Sequence, residues 1–172
     1  INWAIAQNSD QSSLYYQKLD VARIAVAGMS CGGLQALEVA PEPRITTAMV
    51  CNSGILPSPD AGMGGMPRLA KSQLEKLHTP VIYILGGEKD IAYRNGMDDF
   101  RRINRVPAFG ANLNGGHGGT YSQPHGGDFA RVATAWFQWQ LKADRQAATM
   151  FEGDPCGVAQ MTGWKVEKKN IR

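Results

Sequence analysis

Nowhere in these 172 residues does an apolar run approach the ~18–20 positions of a membrane-spanning helix. The three cysteines, Cys31, Cys51 and Cys156, form no C-x-x-C pair and have no metal-ligand spacing, so neither a zinc ribbon nor a thioredoxin-type redox centre is indicated. There is no P-loop, and no G-x-G-x-x-G follows a strand-like run, so no nucleotide cofactor is implied. A formal net charge of +3 is not gathered into a Lys/Arg stripe with interleaved aromatics, which removes nucleic acid as an expected partner. Repeats and low-complexity tracts are missing as well. The chain starts Ile1-Asn2-Trp3 with no signal-peptide pattern, which leaves the compartment open.

What remains is an ordinary globule, 43% hydrophobic and 19% charged, of a length that makes one domain with a sizeable core. Residues 1–172 read as a single domain, with 144–172 an extension that packs on it or trails from it. The closing Lys165-Val-Glu-Lys-Lys-Asn-Ile-Arg172 reads as a solvated tail. Cys31 and Cys51, in apolar strand-linked surroundings, read as core thiols. Cys156 lies in a loop, as an unpaired thiol or bonded to a cysteine outside this chain.

Four strand-like runs, at 23–27, 45–51, 81–85 and 108–113, alternate with helix candidates at 33–40, 68–77, 96–103 and 127–143. In the last of these, Phe129, Val132, Ala133, Trp136, Phe137 and Leu141 recur near helical spacing, and Trp136 and Trp139 read as packing against a sheet. Three of the strands are too apolar to have a wet face. The pattern predicts an α/β fold, a mostly parallel sheet with helices on both faces. The Gly-rich stretch 60–67, after the second strand, reads either as a pocket wall or as a plain surface connection.

At the end of the first strand stands Gly28-Met29-Ser30-Cys31-Gly32, a G-x-S-x-G between a strand and a helix. That context is a nucleophile elbow, a sharp turn that raises a serine Oγ over the end of a sheet. Its glycines are expected to take backbone angles that a Cβ would resist and to let the helix pass close to the strand. In a parallel sheet, ligands sit beyond the carboxyl ends of the strands. Ser30 ends the first strand, Asp90 lies just past the third and His117 just past the fourth, so all three can meet at one edge. His78 precedes the third strand and belongs to the opposite edge, while His125, opening the last helix, is the alternative base. Asp60 and Glu88 are the alternatives to Asp90.

These residue types suit one another. A serine hydroxyl is a poor nucleophile at neutral pH until an imidazole takes its proton, and the imidazole needs a carboxylate to fix its tautomer. The backbone N–H of Cys31 is a candidate donor to an oxyanion, while its thiol is a bystander. Gly115, Gly116, Gly118 and Gly119 suit a tight loop that presents His117. Met29, Met63, Met66, Ile55 and Tyr121 are candidates for an apolar acyl pocket, with Met29 and Tyr121 beside the reacting centre. No His/Asp/Glu cluster has metal-ligand spacing, so no metal is expected.

Taken together, Gly-Met-Ser-Cys-Gly-Gly, Gly-Gly-Glu-Lys-Asp and Asn-Gly-Gly-His-Gly-Gly-Thr-Tyr resemble the α/β-hydrolases of the esterase, dienelactone-hydrolase and cutinase-like polyesterase group. The resemblance covers about residues 1–145 and is specific for the fold, not for a substrate. It implies Ser30 as nucleophile, His117 as base, Asp90 as acid and the Cys31 N–H as one oxyanion donor. A serine hydrolase of small or polymeric carboxylic esters, working through an acyl-enzyme without a cofactor, is the expected activity. A non-catalytic binding protein of the same fold, or a peptidase, is the alternative. The resemblance and a bridge at Cys156 would together place the protein outside the cytoplasm, extracellular or periplasmic. The family has about four strands before its elbow, whereas here residues 1–5 look like the end of the helix that leads into it. The strands and the loop that supplies the second oxyanion donor are therefore expected in a longer or second chain completing the sheet; otherwise the elbow strand would have a bare apolar edge.

Overall fold

Residues 81–85, Val-Ile-Tyr-Ile-Leu, offer no alternation of apolar and polar side chains, and a strand of that kind needs cover on both faces. In the computed structural model, which describes residues 1–62 and 64–172, this run is β3 (Val81–Leu85), and every one of its residues is buried. It sits in the middle of a five-stranded sheet ordered β1-β2-β3-β4-β5. The other strands are β1 (Ile24–Met29), β2 (Ile45–Cys51), β4 (Ala108–Leu113) and β5 (Trp164–Lys169). Strands β1 to β4 run parallel and β5 pairs antiparallel with β4. The expected α/β class, a mostly parallel sheet, is what the chain forms.

Alternate residues of each strand serve opposite layers. Ala48, Val50, Val81, Tyr83 and Leu85 face a layer built from α2 (Cys31–Val39), α3 (Tyr93–Arg102) and the turn Lys71–Lys76, through Leu34, Leu37, Leu74, Met97 and Phe100. Met49, Ile82, Ile84, Phe109 and Ala111 face α4 (Gly127–Lys142) and the chain beyond it, through Phe129, Val132, Trp136 and Phe151. Each large side chain fully buried in these layers stabilises the fold by roughly 1.5–3 kcal/mol relative to exposure. Trp136 also satisfies its indole N–H, which donates to Thr47 Oγ1 at 2.9 Å. Helix α4 stops where Ala143 turns left-handed, and Asp144 then caps the short α5 (Arg145–Ala148) by accepting from the N–H groups of Gln146 and Ala147.

Three expectations are corrected. The apolar spacing at 68–77 makes not an α-helix but a 3-10 turn over Lys71–Lys76. Leu74 and Leu77, three apart, are both buried there, a spacing that a three-residue turn serves as well as a helix does. The basic end of the chain is not a solvated tail: it contains the edge strand β5, where Trp164 is buried, Lys168 and Lys169 are half-buried and Lys165 is exposed. Lys169 turns back and donates from Nζ to the carbonyls of Phe100, Arg101 and Ile103, the open C-terminal end of α3. The cysteines differ in part from the reading: Cys51 does pack against the α4-side core, but the most deeply buried of the three is Cys156, in its loop. Cys156 is buried with Phe151 and Val158 in the α4 layer, while Cys31 and Cys51 are half-buried.

The opposite flank is thinly covered. Helix α1 (Asn2–Ser9), longer than the expected 1–5, has no buried residue. Strand β1 pairs with β2 alone among the described residues, and Trp3 (65%) and Leu14 (83%) are largely exposed nearby in the sequence. No helix among the described residues is long and apolar enough to cross a membrane.

Candidate active site

β1 ends at Met29, and the chain reverses into α2 within one residue. That residue is Ser30, at φ 55° and ψ −119°, a conformation that non-glycine residues adopt only at a cost of about 1–3 kcal/mol. The strain thus falls on the serine and not on the flanking glycines, contrary to the expectation that the glycines take the unusual angles. Gly28 is needed for space: a Cβ there would collide with the carbonyl oxygen of Gly32. Ser30 is tied down through its backbone. Its N–H donates to the carbonyl of Cys51 at 3.0 Å, and its own carbonyl accepts from the Gly33 N–H at 2.9 Å and from Ser53 Oγ at 2.6 Å. Cys31 is the first residue of α2, where a backbone N–H has no acceptor within the helix and points out of the helix end.

The three residues picked out at the strand ends come together. His117 Nε2 lies 2.9 Å from Ser30 Oγ, and His117 Nδ1 lies 2.7 Å from Asp90 Oδ1. An ionised carboxylate only accepts, so the proton sits on Nδ1 and Nε2 is left to accept from the serine hydroxyl. The Asp90 side chain is fully buried and that of His117 is 30% exposed. All four lone-pair directions of Asp90 are met. Oδ1 accepts from His117 and from the Ala92 N–H (2.9 Å), while Oδ2 accepts from the Gly86 N–H (3.1 Å) and Asn52 Nδ2 (2.8 Å). Burial pushes this carboxyl up, but the donors from Ala92, His117, Gly86 and Asn52 outweigh it and hold the group below the usual carboxylate range.

The alternatives stand elsewhere. His78 is exposed before β3. His125 is exposed in the turn Pro124–Gly126, on a cleft of about 540 Å³ between α4 and α5 that includes neither Ser30 nor His117. Asp60 is on the surface, 3.4 Å from Arg68, and Glu88 is exposed. The residues read as candidates for an apolar acyl pocket are differently placed. Ile55 is fully buried in the core, Met66 packs against that core, and Met63 lies outside the described residues. Met29 (37%) and Tyr121 (41%) remain partly exposed. The Tyr121 hydroxyl donates to Asn52 Oδ1 at 2.6 Å; burial holds its pKa well above the ordinary tyrosine value, so it stays a neutral donor. The same burial pushes the Cys51 thiol up to about 11, which keeps it protonated and unreactive at neutral pH.

Sequence reasoning missed Asn52. It stands at the end of β2, fully buried, in a left-handed conformation (φ 44°) that asparagine tolerates better than most residues. An Asn-Ser-Gly closing a buried strand at the same sheet edge as Ser30 was the available signal. Among the described residues, no group of three or more His, Cys, Asp or Glu side chains is gathered as a metal site would require.

No family model matches the sequence, and no curated protein matches it. Solved structures do resemble the fold. The chain superposes on the one described as "Crystal Structure of pOPH Native" with a TM-score of 0.53 and 16% identity, over 90% of this chain and 55% of that one. For "Crystal Structure of sOPH Native" the TM-score is 0.52 and the identity 12%, over 87% and 54% of the two chains. The likeness is one of fold, and the chain spans about half the length of these proteins.

Proposed function

We propose that this chain carries the reacting centre of a serine hydrolase acting on carboxylic esters, small or polymeric. The observation that carries the reading is the unbroken line Ser30 Oγ–His117 Nε2, His117 Nδ1–Asp90 Oδ1, at 2.9 and 2.7 Å, at the carboxyl edge of a parallel sheet. In this reading Ser30 Oγ attacks the ester carbonyl carbon while its proton passes to His117 Nε2. The carbonyl π electrons move onto the oxygen, where the Cys31 N–H and the positive end of α2 stabilise the charge. Collapse breaks the bond to the alcohol, which leaves with the proton from Nε2, and an acyl group remains on Ser30. Water gives a proton to Nε2, attacks the acyl carbon, and the serine leaves with that proton restored. Asp90 keeps the imidazole in the Nδ1–H tautomer throughout and stabilises the imidazolium that forms twice per turnover.

Met29 and Tyr121, partly exposed and beside this line in sequence and in hydrogen bonding, are the side chains in place to meet the substrate. The free edge of β1 and the half-length match to the solved structures favour further polypeptide completing the sheet there, which would also supply a second oxyanion donor.

The test is a fluorophosphonate probe read by peptide mass spectrometry. Stoichiometric labelling at Ser30, lost in Ser30→Ala, together with faster turnover of p-nitrophenyl esters than of peptide anilides, supports the ester reading. Labelling with the opposite preference supports a peptidase. A folded protein left unlabelled means a hydrolase-like scaffold that binds without turnover.

A further inference from the structure

The side chain of Asn52 holds together all the parts of the site except the serine. Its Nδ2 donates to Asp90 Oδ2 at 2.8 Å and to the carbonyl of Gly116 at 3.1 Å, and its Oδ1 accepts from Tyr121 at 2.6 Å. Asp90 belongs to the turn after β3, and Gly116 to the loop after β4 that presents His117. One amide therefore ties the acid's turn to the base's loop with two bonds, and a third ties it to the partly exposed Tyr121. The backbone repeats the link once, where the Gly116 N–H donates to the Gly86 carbonyl at 2.9 Å. The chemistry fixes which way the amide faces. Both Asp90 and the Gly116 carbonyl accept, so both must see the NH2, and the remaining oxygen is left for the tyrosine O–H. The amide is fully buried, and these three bonds leave it no freedom to turn.

We infer that Asn52 is a positioning residue for the reaction: it fixes the plane of the Asp90 carboxylate so that Oδ1 faces His117 Nδ1, and it holds the His117 loop at the distance that lets Nε2 reach Ser30. It touches neither substrate nor the reacting atoms and acts through Asp90 and Gly116. The inference rests on the ester hydrolase reading above. Loss of the amide leaves Oδ2 with the Gly86 N–H alone and leaves the Gly116 carbonyl and the Tyr121 hydroxyl without their partner. The carboxylate, kept by three donors in place of four, is then held less firmly in plane, and the fraction of time in which Nε2 points at Ser30 falls. Misplacement of this kind lowers kcat by about 10²-fold without weakening substrate binding in proportion.

Two variants test it. Asn52→Gly keeps the left-handed backbone and removes the amide, so kcat for a p-nitrophenyl ester should fall about 10–100-fold with KM within about twofold of the parent. Asn52→Asp is nearly isosteric, but its carboxyl can donate to Asp90 only while protonated. Two carboxylates at that spacing share one proton, and one of them titrates well above its ordinary range. The rate of Asn52→Asp relative to the parent should therefore fall as pH rises through that titration, a pH dependence that a packing defect would not create. A folded Asn52→Gly protein with kcat within about twofold of the parent, or an Asn52→Asp whose relative rate is flat with pH, overturns the inference. If the parent shows no Ser30-dependent hydrolysis, the ester reading fails first, and the Nδ1 proton resonance of His117 decides the positioning role. A shift or loss of that resonance in both variants supports it, and an unchanged resonance overturns it.

Discussion

Ser30 and the Asp90–His117 pair stand on different ground. The pair rises from β3 and β4, interior strands covered by helical layers on both faces, and every residue of β3 is buried. Ser30 rises from β1, which among the described residues pairs on one side only and is nowhere fully buried, next in the chain to an α1 that buries nothing. The two sides are made accurate by different means. On the interior side orientation comes from saturation, since four donors leave the Asp90 carboxylate no alternative pose. On the outer side it comes from the backbone, with a serine in a strained conformation and a glycine contact that admits no Cβ. Among the described residues, the position of Ser30 is thus fixed by local stereochemistry, and that of Asp90 and His117 by packing and saturated hydrogen bonding.

The contrast can be broken at several points. The largest effect is expected from Asp90→Asn, which favours the wrong imidazole tautomer and sets its NH2 against an N–H that now donates to a carboxylate oxygen; kcat on an ester substrate should fall by about 10⁴-fold, with a loss of stability in urea denaturation. Next comes the packing beneath the pair. Trp136→Ala removes an indole that is fully buried, bonded to Thr47 and set edge-on to Phe151, and urea denaturation should show a loss of about 3–5 kcal/mol.

A smaller effect concerns Asp99 on α3, which accepts from the Ile55 N–H at 2.7 Å and pairs with Lys71 at 2.6 Å, and so pins the exit of β2 to the interior side. Burial lifts its carboxyl from the ordinary 3.8 to about 6, despite the pull of Lys71. The folded state then binds this proton more tightly than the unfolded chain does. Its contribution is accordingly most favourable below about pH 4, declines as pH rises to about 6 and is constant above that. Asp99→Asn should remove that decline, on the order of 2 kcal/mol, from a plot of unfolding free energy against pH. The smallest effect belongs to the outer side: Trp3→Ala, at a 65% exposed position, should change stability by no more than about 0.5 kcal/mol. A loss of several kcal/mol there would show that α1 is packed as firmly as the interior and would erase the contrast.

Much of this was legible in the sequence because the relevant patterns are local. Strands such as Val81–Leu85 declare themselves by composition, and the strand-end rule then places Ser30, Asp90 and His117 at one edge before any contact is known. β5 was not legible, because Trp-Lys-Val-Glu-Lys-Lys has only two apolar side chains and its charge resembles that of a tail. What makes it a strand is the free edge of β4, which lies more than fifty positions away in the chain. Asn52 was passed over for a related reason. An asparagine after a strand ordinarily marks a turn, and only the convergence of Asp90, Gly116 and Tyr121 on its amide gives it another role. Cys156 misled because its neighbours in sequence, glycine, aspartate and proline, suggest a surface loop, whereas its neighbours in space are Phe151 and Val158.

The backbone at Ser30 has a consequence for how such a chain would drift. Glycine adopts a φ of 55° without penalty, so Ser30→Gly would relax the elbow and make the resting molecule firmer while removing the hydroxyl that the proposed reaction needs. On the proposed reading, thermal hardiness and chemical competence pull in opposite directions at this one position. A lineage screened only for robustness would lose its hydroxyl here first, and the rest of the fold would show little trace of the loss.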